Sequence, residues 1–269
     1  MINILKTEFF RLKKSTLFWA LFGVCAALPL LSVLLNLLGF EMLVTVDNGM
    51  EYDTWEVIRK SNITVASLSD LPSLSGDSLF ALICTSIFLC KEFSGGTFRN
   101  MLLANRSRRE VYLSFLLMAV TIGATYLGVN FVSRLLFNGA IFGFGTMKAA
   151  EVFSACVIAL ALGLISVIFL QTMMCMFMFG TRKLAVALAC PLVICIIAPA
   201  TLFSFIEVFA SLGLISETDL SWIPLYNLNL LNLTDIDGAL IGKILLYLLP
   251  LTALFGSMGW VTFRKADLK

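Results

Sequence analysis

Long apolar segments constrain this chain more than any other feature, because each of them must be kept away from water. A helix that crosses a bilayer needs about 20 mainly apolar residues, and six segments of the sequence fit that requirement. Soluble domains carry about 45–50% apolar and about 25% charged residues, whereas this chain of 269 residues is 59% hydrophobic and 13% charged. The sequence therefore predicts an all-α integral membrane protein with a single transmembrane domain, residues 1–269. The predicted spans cover residues about 17–40, 72–90, 111–137, 152–179, 184–205 and 239–263.

Helix-ending residues suggest where these spans begin and end. Pro72 suits the first turn of the second span, and the pair Asn138-Gly139 predicts the end of the third. Gly180 follows the fourth span, and the next span begins after a turn of only a few residues.

The distribution of Lys and Arg predicts the orientation, because cytoplasmic loops of membrane proteins are enriched in these residues. If both termini are cytoplasmic, most of the 19 Lys and Arg residues lie inside. The exceptions are Arg59, Lys60, Arg134, Lys148 and Lys243. We therefore expect a multi-pass protein of the cell membrane, most simply the plasma membrane of a bacterium, with both termini in the cytoplasm.

Two segments outside the spans have patterns of their own. Ile2, Leu5, Phe9 and Leu12 recur at spacings of three and four, with the basic residues off that stripe. This pattern predicts an amphipathic helix in the inner membrane interface; the alternative is a basic flank that only orients the first span. Residues 206–238 are half apolar and too broken to span twice, which predicts a re-entrant outer segment between the fifth and sixth spans.

Several classes of function are disfavoured by missing residues. The chain has no His, which removes HExxH metal sites and Ser-His-Asp triads, and no paired carboxylates lie within a span to activate water. The seven Cys residues lie in apolar runs without CxxC spacing, so we expect buried thiols and no metal site. There is no Walker A motif and no basic, aromatic surface for nucleic acid. We therefore expect no enzymatic activity in this chain.

The charged loop at residues 91–110 interrupts the apolar sequence. Gly95 and Gly96 are suited to end the second span, and Thr97 to cap a short helix over residues 98–104. Ser107 and Glu110 have the spacing of a capping box, so the third span is expected to begin at Ser107. A short amphipathic helix between two spans is a docking surface; the alternative is that its arginines only hold the loop inside.

The stretch EFSGGTFRNMLLANRSRREVYLS resembles the loop between spans two and three of type-2 ABC exporter permeases, and KTEFFRLKKSTLFW is similar to the entry helix of that family. The resemblance implies that the loop docks on a separate ATP-hydrolysing subunit, present in two copies, that binds ATP and Mg²⁺. It also implies a second permease subunit, either the same chain or a relative, and export of a cargo such as an antimicrobial peptide or antibiotic. The residues that would couple to the ATPase, by this resemblance and by the apolar face of the short helix, are Glu92, Thr97, Phe98, Arg99, Met101, Leu102, Ser107 and Arg108.

Polar residues at membrane depth are a second set of candidates. Glu207 and Trp222 fall in the broken outer segment and could line an outer gate, and Gln171 lies well inside the fourth span. A Gln in a span also serves as helix–helix contact. The alternative function for the whole chain is a membrane-embedded immunity or accessory protein that binds a peptide without moving it.

Overall fold

The computed structural model describes residues 2–44, 76–97, 100–101, 107–142, 149–194 and 238–265. Throughout these ranges the regular elements are helical, and no strand occurs in them. The helices are α1 (Ile2–Lys13), α2 (Thr16–Val44), α3 (Gly76–Ser94), α4 (Arg108–Phe142), α5 (Ala149–Thr181), α6 (Leu184–Leu192) and α7 (Gly238–Lys265).

Three of these helices are long and apolar enough to cross a membrane. The qualifying stretches are Arg108–Phe137, Cys156–Thr181 and Ile244–Lys265. There are four spans if Leu5–Lys13 and Thr16–Leu31 form a single broken span of the membrane. These two helices are bent by 67° at the break between them. The predicted second and fifth spans extend into residues 72–75 and 195–205, outside the described residues. The count of six spans and the re-entrant outer segment therefore stay predictions.

Two helix ends differ from the sequence prediction. Helix α4 continues through Asn138 and Gly139 to Phe142, so this pair does not end it. A glycine ends a helix where it adopts the left-handed conformation, and Gly139 is helical here. Helix α5 likewise includes Gly180 and ends at Thr181, followed by Arg182 with a left-handed φ of 57°.

Helix α5 is the centre of the bundle and packs most extensively on α7, then on α4, α6 and α3. Close approach to α4 depends on Gly123, because a Cβ there would lie 2.4 Å from Cγ1 of Val167. The large apolar cluster includes Phe115 and Phe179 together with Ile244. This core runs along the length of the bundle, from Ile244 near the start of α7 to Phe263 near its end.

A second, smaller apolar cluster joins α1 and α2 to α3 and α4. It contains Leu12, Phe18 and Phe88, and the fully buried Tyr126. The Tyr126 hydroxyl donates a hydrogen bond to the Phe18 carbonyl oxygen at 3.0 Å. Helices α1 and α2 are thus attached to the bundle mainly through α4.

Candidate functional site

Helix α3 ends at a double glycine, as the sequence predicts. The amide of Gly95 donates to the Lys91 carbonyl at 2.8 Å, and that of Gly96 to the Phe93 carbonyl at 3.2 Å. Gly96 has a φ of 66°, a left-handed conformation that other residues adopt only at a cost of roughly 1–2 kcal/mol. The chain can therefore leave the end of α3 in a tight turn.

The turn that follows is helical where it is described. The amide of Asn100 donates to the Gly96 carbonyl at 3.0 Å, and Thr97, Asn100 and Met101 are helical. The turn thus begins at Thr97, one residue before the predicted start. Thr97 and Met101 are half-buried, and Met101 packs against the large apolar cluster. The other predicted residues of this helix lie outside the described residues: Phe98, Arg99 and Leu102.

The far end of the loop is closed by the predicted cap. The Ser107 hydroxyl oxygen accepts a hydrogen bond from the Glu110 amide at 3.2 Å, and α4 begins at Arg108. The Arg108 guanidinium donates to the carbonyl oxygen of Arg264 at 2.6 Å. That carbonyl lies in the last turn of α7, where backbone acceptors have no partner within the helix. Arg108 therefore ties the beginning of α4 to the end of α7.

One turn further along α4, Tyr112 connects the loop to the bundle interior. Its hydroxyl donates to the Gly256 carbonyl at 2.8 Å, and its ring lies 5.4 Å from that of Phe179 and 5.6 Å from that of Trp260. A Cβ at Gly259 would lie 2.8 Å from the Tyr112 hydroxyl oxygen. The absence of a side chain at Gly259 therefore leaves room for the tyrosine hydroxyl.

Glu92, one of the predicted coupling residues, is buried and paired with α1. Nη1 of Arg11 donates to Oε2 of Glu92 at 2.7 Å and to Oε1 of Glu8 at 3.4 Å. The side chains of both carboxylates are nearly closed to solvent, at 2% and 1% exposure, whereas that of Arg11 is 42% exposed. Burial, and next the charge of Glu92, raise the pKa of Glu8 to about 7 against the lowering effect of Arg11.

Sequence reasoning did not identify Glu8 and Arg11 as site residues. A signal for Glu8 is present, because it stands three residues after Leu5 and four before Leu12, on one face of the helix. Phe9 of the predicted apolar stripe is 40% exposed, whereas Glu8 and Leu12 are buried, so the face of α1 that packs on the bundle differs from that stripe at this position. The stripe of α1 that packs on the bundle therefore contains an acidic residue.

The candidates at membrane depth are only partly described. Gln171 is 1% exposed within α5, and its Oε1 has no hydrogen-bond partner in the described part of the chain. A Cβ at Gly123 would lie 3.1 Å from Nε2 of Gln171, so this amide sits in the contact between α4 and α5. Glu207 and Trp222 lie outside the described residues.

No group of three or more His, Cys, Asp or Glu side chains within the described ranges could hold a metal ion. The structure instead brings Glu92, Ser107 and Arg108 to two neighbouring helix ends, with α1 and α7 bonded to them. This arrangement can transmit a displacement of the loop to several helices, because each end of the loop is fixed to a different pair of them.

A family model described as an ABC-2 family transporter protein matches residues 4–216, which is well over half of the chain and includes the whole charged loop. No curated protein matches the sequence.

Proposed function

The chain belongs to the ABC-2 family and is a membrane permease subunit of an ABC transporter; from this premise we propose that it couples ATP hydrolysis on a separate subunit to export of an amphipathic or hydrophobic cargo. Membership of the family implies a partner ATPase and a membrane location. Our proposal adds the direction of transport, the class of cargo, such as an antimicrobial peptide or antibiotic, and the route of coupling.

The proposed route of coupling is the loop at residues 91–110. One observation carries it: the two ends of the loop are fixed to the bundle, one by the α3 cap with Glu92 and the other by the α4 cap with Arg108. A loop joined rigidly to packed helices passes on a displacement as a rigid-body movement. Closure of two ATPase subunits on bound ATP would supply that displacement.

The partners follow from the same mechanism. Two ATPase copies, which bind the ATP and Mg²⁺, would act on two permeases, so we propose a second copy of this chain or a related chain. We propose a bacterial plasma membrane as the location of the complex, with the loop and both termini in the cytoplasm. The distribution of Lys and Arg supports this orientation.

Helix α1 has the surface expected of a helix at the inner interface. Phe10 of α1 is 58% exposed, and Trp19 in the first turn of α2 is 51% exposed. Nζ of Lys14, which follows α1, lies 4.4 Å from the centre of the Phe10 ring. Aromatic and basic side chains together are typical of the headgroup region. We propose that this side of α1 contacts lipid while Glu8 and Leu12 contact the bundle.

For the cargo route we propose Gln171 with Glu207 and Trp222 as candidates. Gln171 is supported by its buried, unbonded Oε1, since an unsatisfied polar atom at membrane depth is costly. The other two rest on the sequence alone.

The test is a photo-crosslinking amino acid in place of the exposed Asn100, with Leu136, which is 63% exposed near the other end of α4, as the control site. The two sites lie about 40 Å apart along the bundle. Asn100 belongs to the loop before α4, Leu136 lies 28 residues beyond Arg108 at the start of α4, and a helix rises about 1.5 Å per residue. Irradiation of native membranes should join the Asn100 variant to an ABC ATPase, identified by mass spectrometry, and the Leu136 variant to lipid. An ATPase on neither site, in a correctly inserted protein, would overturn the coupling role and favour a peptide-binding protein without transport.

A charge reversal in the loop gives a second measurement in the same crosslinking assay. Arg99→Glu should reduce the crosslinked ATPase at least tenfold, because reversing a charge in a partly buried interface costs about 2–5 kcal/mol and about 1.4 kcal/mol is a factor of ten. Lys60→Glu, on the predicted outer loop, should change nothing. Equal crosslinking by both variants would show that the loop arginines serve only orientation.

A further inference from the structure

Two carboxylates share one guanidinium at the junction of α1 and the end of α3. Glu8 and Glu92 come from different helices, 84 residues apart in the chain, and both accept hydrogen bonds from the same nitrogen of Arg11. The bond to Glu92 joins two helices, whereas the bond to Glu8 lies within α1. The two carboxylates therefore compete for one cation, and only one of the two bonds holds the helices together.

If both carboxylates are ionised, the cluster holds two negative charges and only the one positive charge of Arg11. One negative charge would then remain in a site nearly closed to water, where an unpaired charge is costly and the group tends to become neutral instead. Oε2 of Glu8 is buried and has no hydrogen-bond partner in the described part of the chain. Glu8 is thus the carboxylate better suited to carry a proton, because Glu92 holds the shorter bond to Arg11.

The helices packed against α1 bring no second cation to Glu8 in the described residues. Helix α2 has no ionisable acid or base between Thr16 and Leu34 other than the thiol of Cys25. Helix α3 brings Glu92 and the exposed Lys91, and α4 begins with exposed Arg108 and Arg109 and half-buried Glu110. The groups that shift the titration of Glu8 are Arg11 and Glu92.

We propose that Glu8, Arg11 and Glu92 form a proton-dependent latch, in which one proton on Glu8 leaves Arg11 bound to Glu92 and so fastens α1 to the beginning of the loop. Loss of the proton turns Glu8 into a competitor for Arg11 and loosens the bond between α1 and α3. Glu8 and Arg11 are positioning residues in this scheme, acting on the loop through Glu92. The consequence for transport, weaker coupling at alkaline pH, rests on the coupling role proposed above.

The pH at which the latch opens follows from the environment of Glu8. Burial and the charge of Glu92 raise its pKa to about 7 from 4.5. The latch is therefore closed in most molecules at about one pH unit below this value and is lost as the pH rises through about 7. Because the folded chain binds more protons than the unfolded chain between these two values, the stability that the proton adds is complete below about pH 4.5 and is lost over the same rise. A change of one pH unit around neutrality would shift the proportion of closed latches substantially.

The test measures the α1-to-loop distance in the full chain, in lipid nanodiscs without any ATPase. Spin labels on cysteines introduced at the exposed Phe10 and Asn100, in a background without the native cysteines, are followed from pH 5.5 to 8.5. Wild type should show one short distance at low pH and a broader, longer distribution above a midpoint near 7. Glu8→Gln, which stays neutral, should remain short at every pH.

Two further variants separate a latch from a merely structural contact. Glu92→Gln should give the long distribution throughout and, in infrared spectra, lower the midpoint at which the Glu8 carboxyl ionises, because the repelling charge is removed. Arg11→Lys should keep the pH dependence, since it keeps a cation. A Glu8→Gln protein that retains the wild-type pH dependence, or a wild type without a transition between pH 6 and 8, would overturn the proposal. Because no ATPase is present, failure of the crosslinking at Asn100 would leave this result standing.

Discussion

At the scale of single residues, most of the helix hydroxyl groups that the structure describes donate to the backbone of their own helix, and the exceptions identify contacts between helices. Thr85 and Thr172 each donate to the carbonyl four residues earlier, which satisfies the hydroxyl without a partner from another helix. The hydroxyls of Tyr112 and Tyr126 instead donate to carbonyl oxygens of other helices, and the guanidinium of Arg108 does the same. In an apolar environment such directional bonds fix the register between two helices, because nondirectional dispersion contacts allow small shifts of one helix along the other.

Removing the Tyr112 hydroxyl tests this directly. Tyr112→Phe keeps the ring contacts but removes the hydrogen bond to the Gly256 carbonyl, which should lower the free energy of unfolding by about 1 kcal/mol. The measurement is denaturant unfolding of the purified protein in detergent micelles. Tyr247→Phe, at a 37% exposed tyrosine of the same helix as Gly256, is the control and should leave the midpoint unchanged; equal losses would mean that the bond contributes nothing specific.

At the scale of helices, close packing requires small residues at the points of contact. Gly123 brings α4 against α5 near Val167 and Gln171, and small residues at such positions let helix backbones approach in membranes. The same helix has a second glycine, Gly128, with no atom within 4 Å of where its Cβ would be. Two glycines in one helix therefore have different roles, and only the first serves packing.

These glycines form a matched pair of substitutions. Gly123→Ala should destabilise the protein by about 1–3 kcal/mol, the usual cost of overpacking, because the new Cβ would lie 2.4 Å from Val167. Gly128→Ala should be neutral or stabilise by up to about 1 kcal/mol, since alanine has the higher helix propensity. Thermal unfolding in micelles measures both, and a Gly123→Ala protein as stable as the parent would show that α4 and α5 pack less closely there.

At the scale of the whole molecule, basic residues gather at one end of the bundle. Lys91 and Arg108 lie near the two ends of the loop, Arg182 follows α5, and Arg264 and Lys265 lie in the last turn of α7. These helix ends are joined by the ring contacts of Phe179 with Phe93 and Phe263. One basic end is the arrangement expected if that end faces the cytoplasm.

The orientation is tested by labelling from outside the cell. Cysteines introduced at Asn48 and Lys269, in a background without native cysteines, should react oppositely with an impermeant reagent: Asn48 in intact cells, Lys269 only after permeabilisation. Labelling of both sites in intact cells would break the predicted topology. The acidic residues of 41–71 and the basic loop support the expected result, because Lys and Arg are retained inside.

The sequence by itself determined the helical class, the membrane location and the local signals of the loop. The double glycine ends α3 and Ser107 caps α4 as predicted, because caps depend on a few neighbouring residues. Apolar runs likewise predicted the spans within α4, α5 and α7, since a bilayer demands only length and hydrophobicity.

Only the tertiary structure decided which polar residues meet. Arg11 and Glu92 are 81 positions apart, and Tyr112 and Gly256 are 144 apart; no local pattern encodes such pairs. The ends of α5 at Thr181 and of α4 at Phe142 were also missed, because a glycine ends a helix where it takes the left-handed conformation, and Gly180 and Gly139 are helical here. The burial of Glu8 was likewise decided by the tertiary structure. A carboxylate on the packed stripe of α1 is held there by partners that the chain brings together only when it folds.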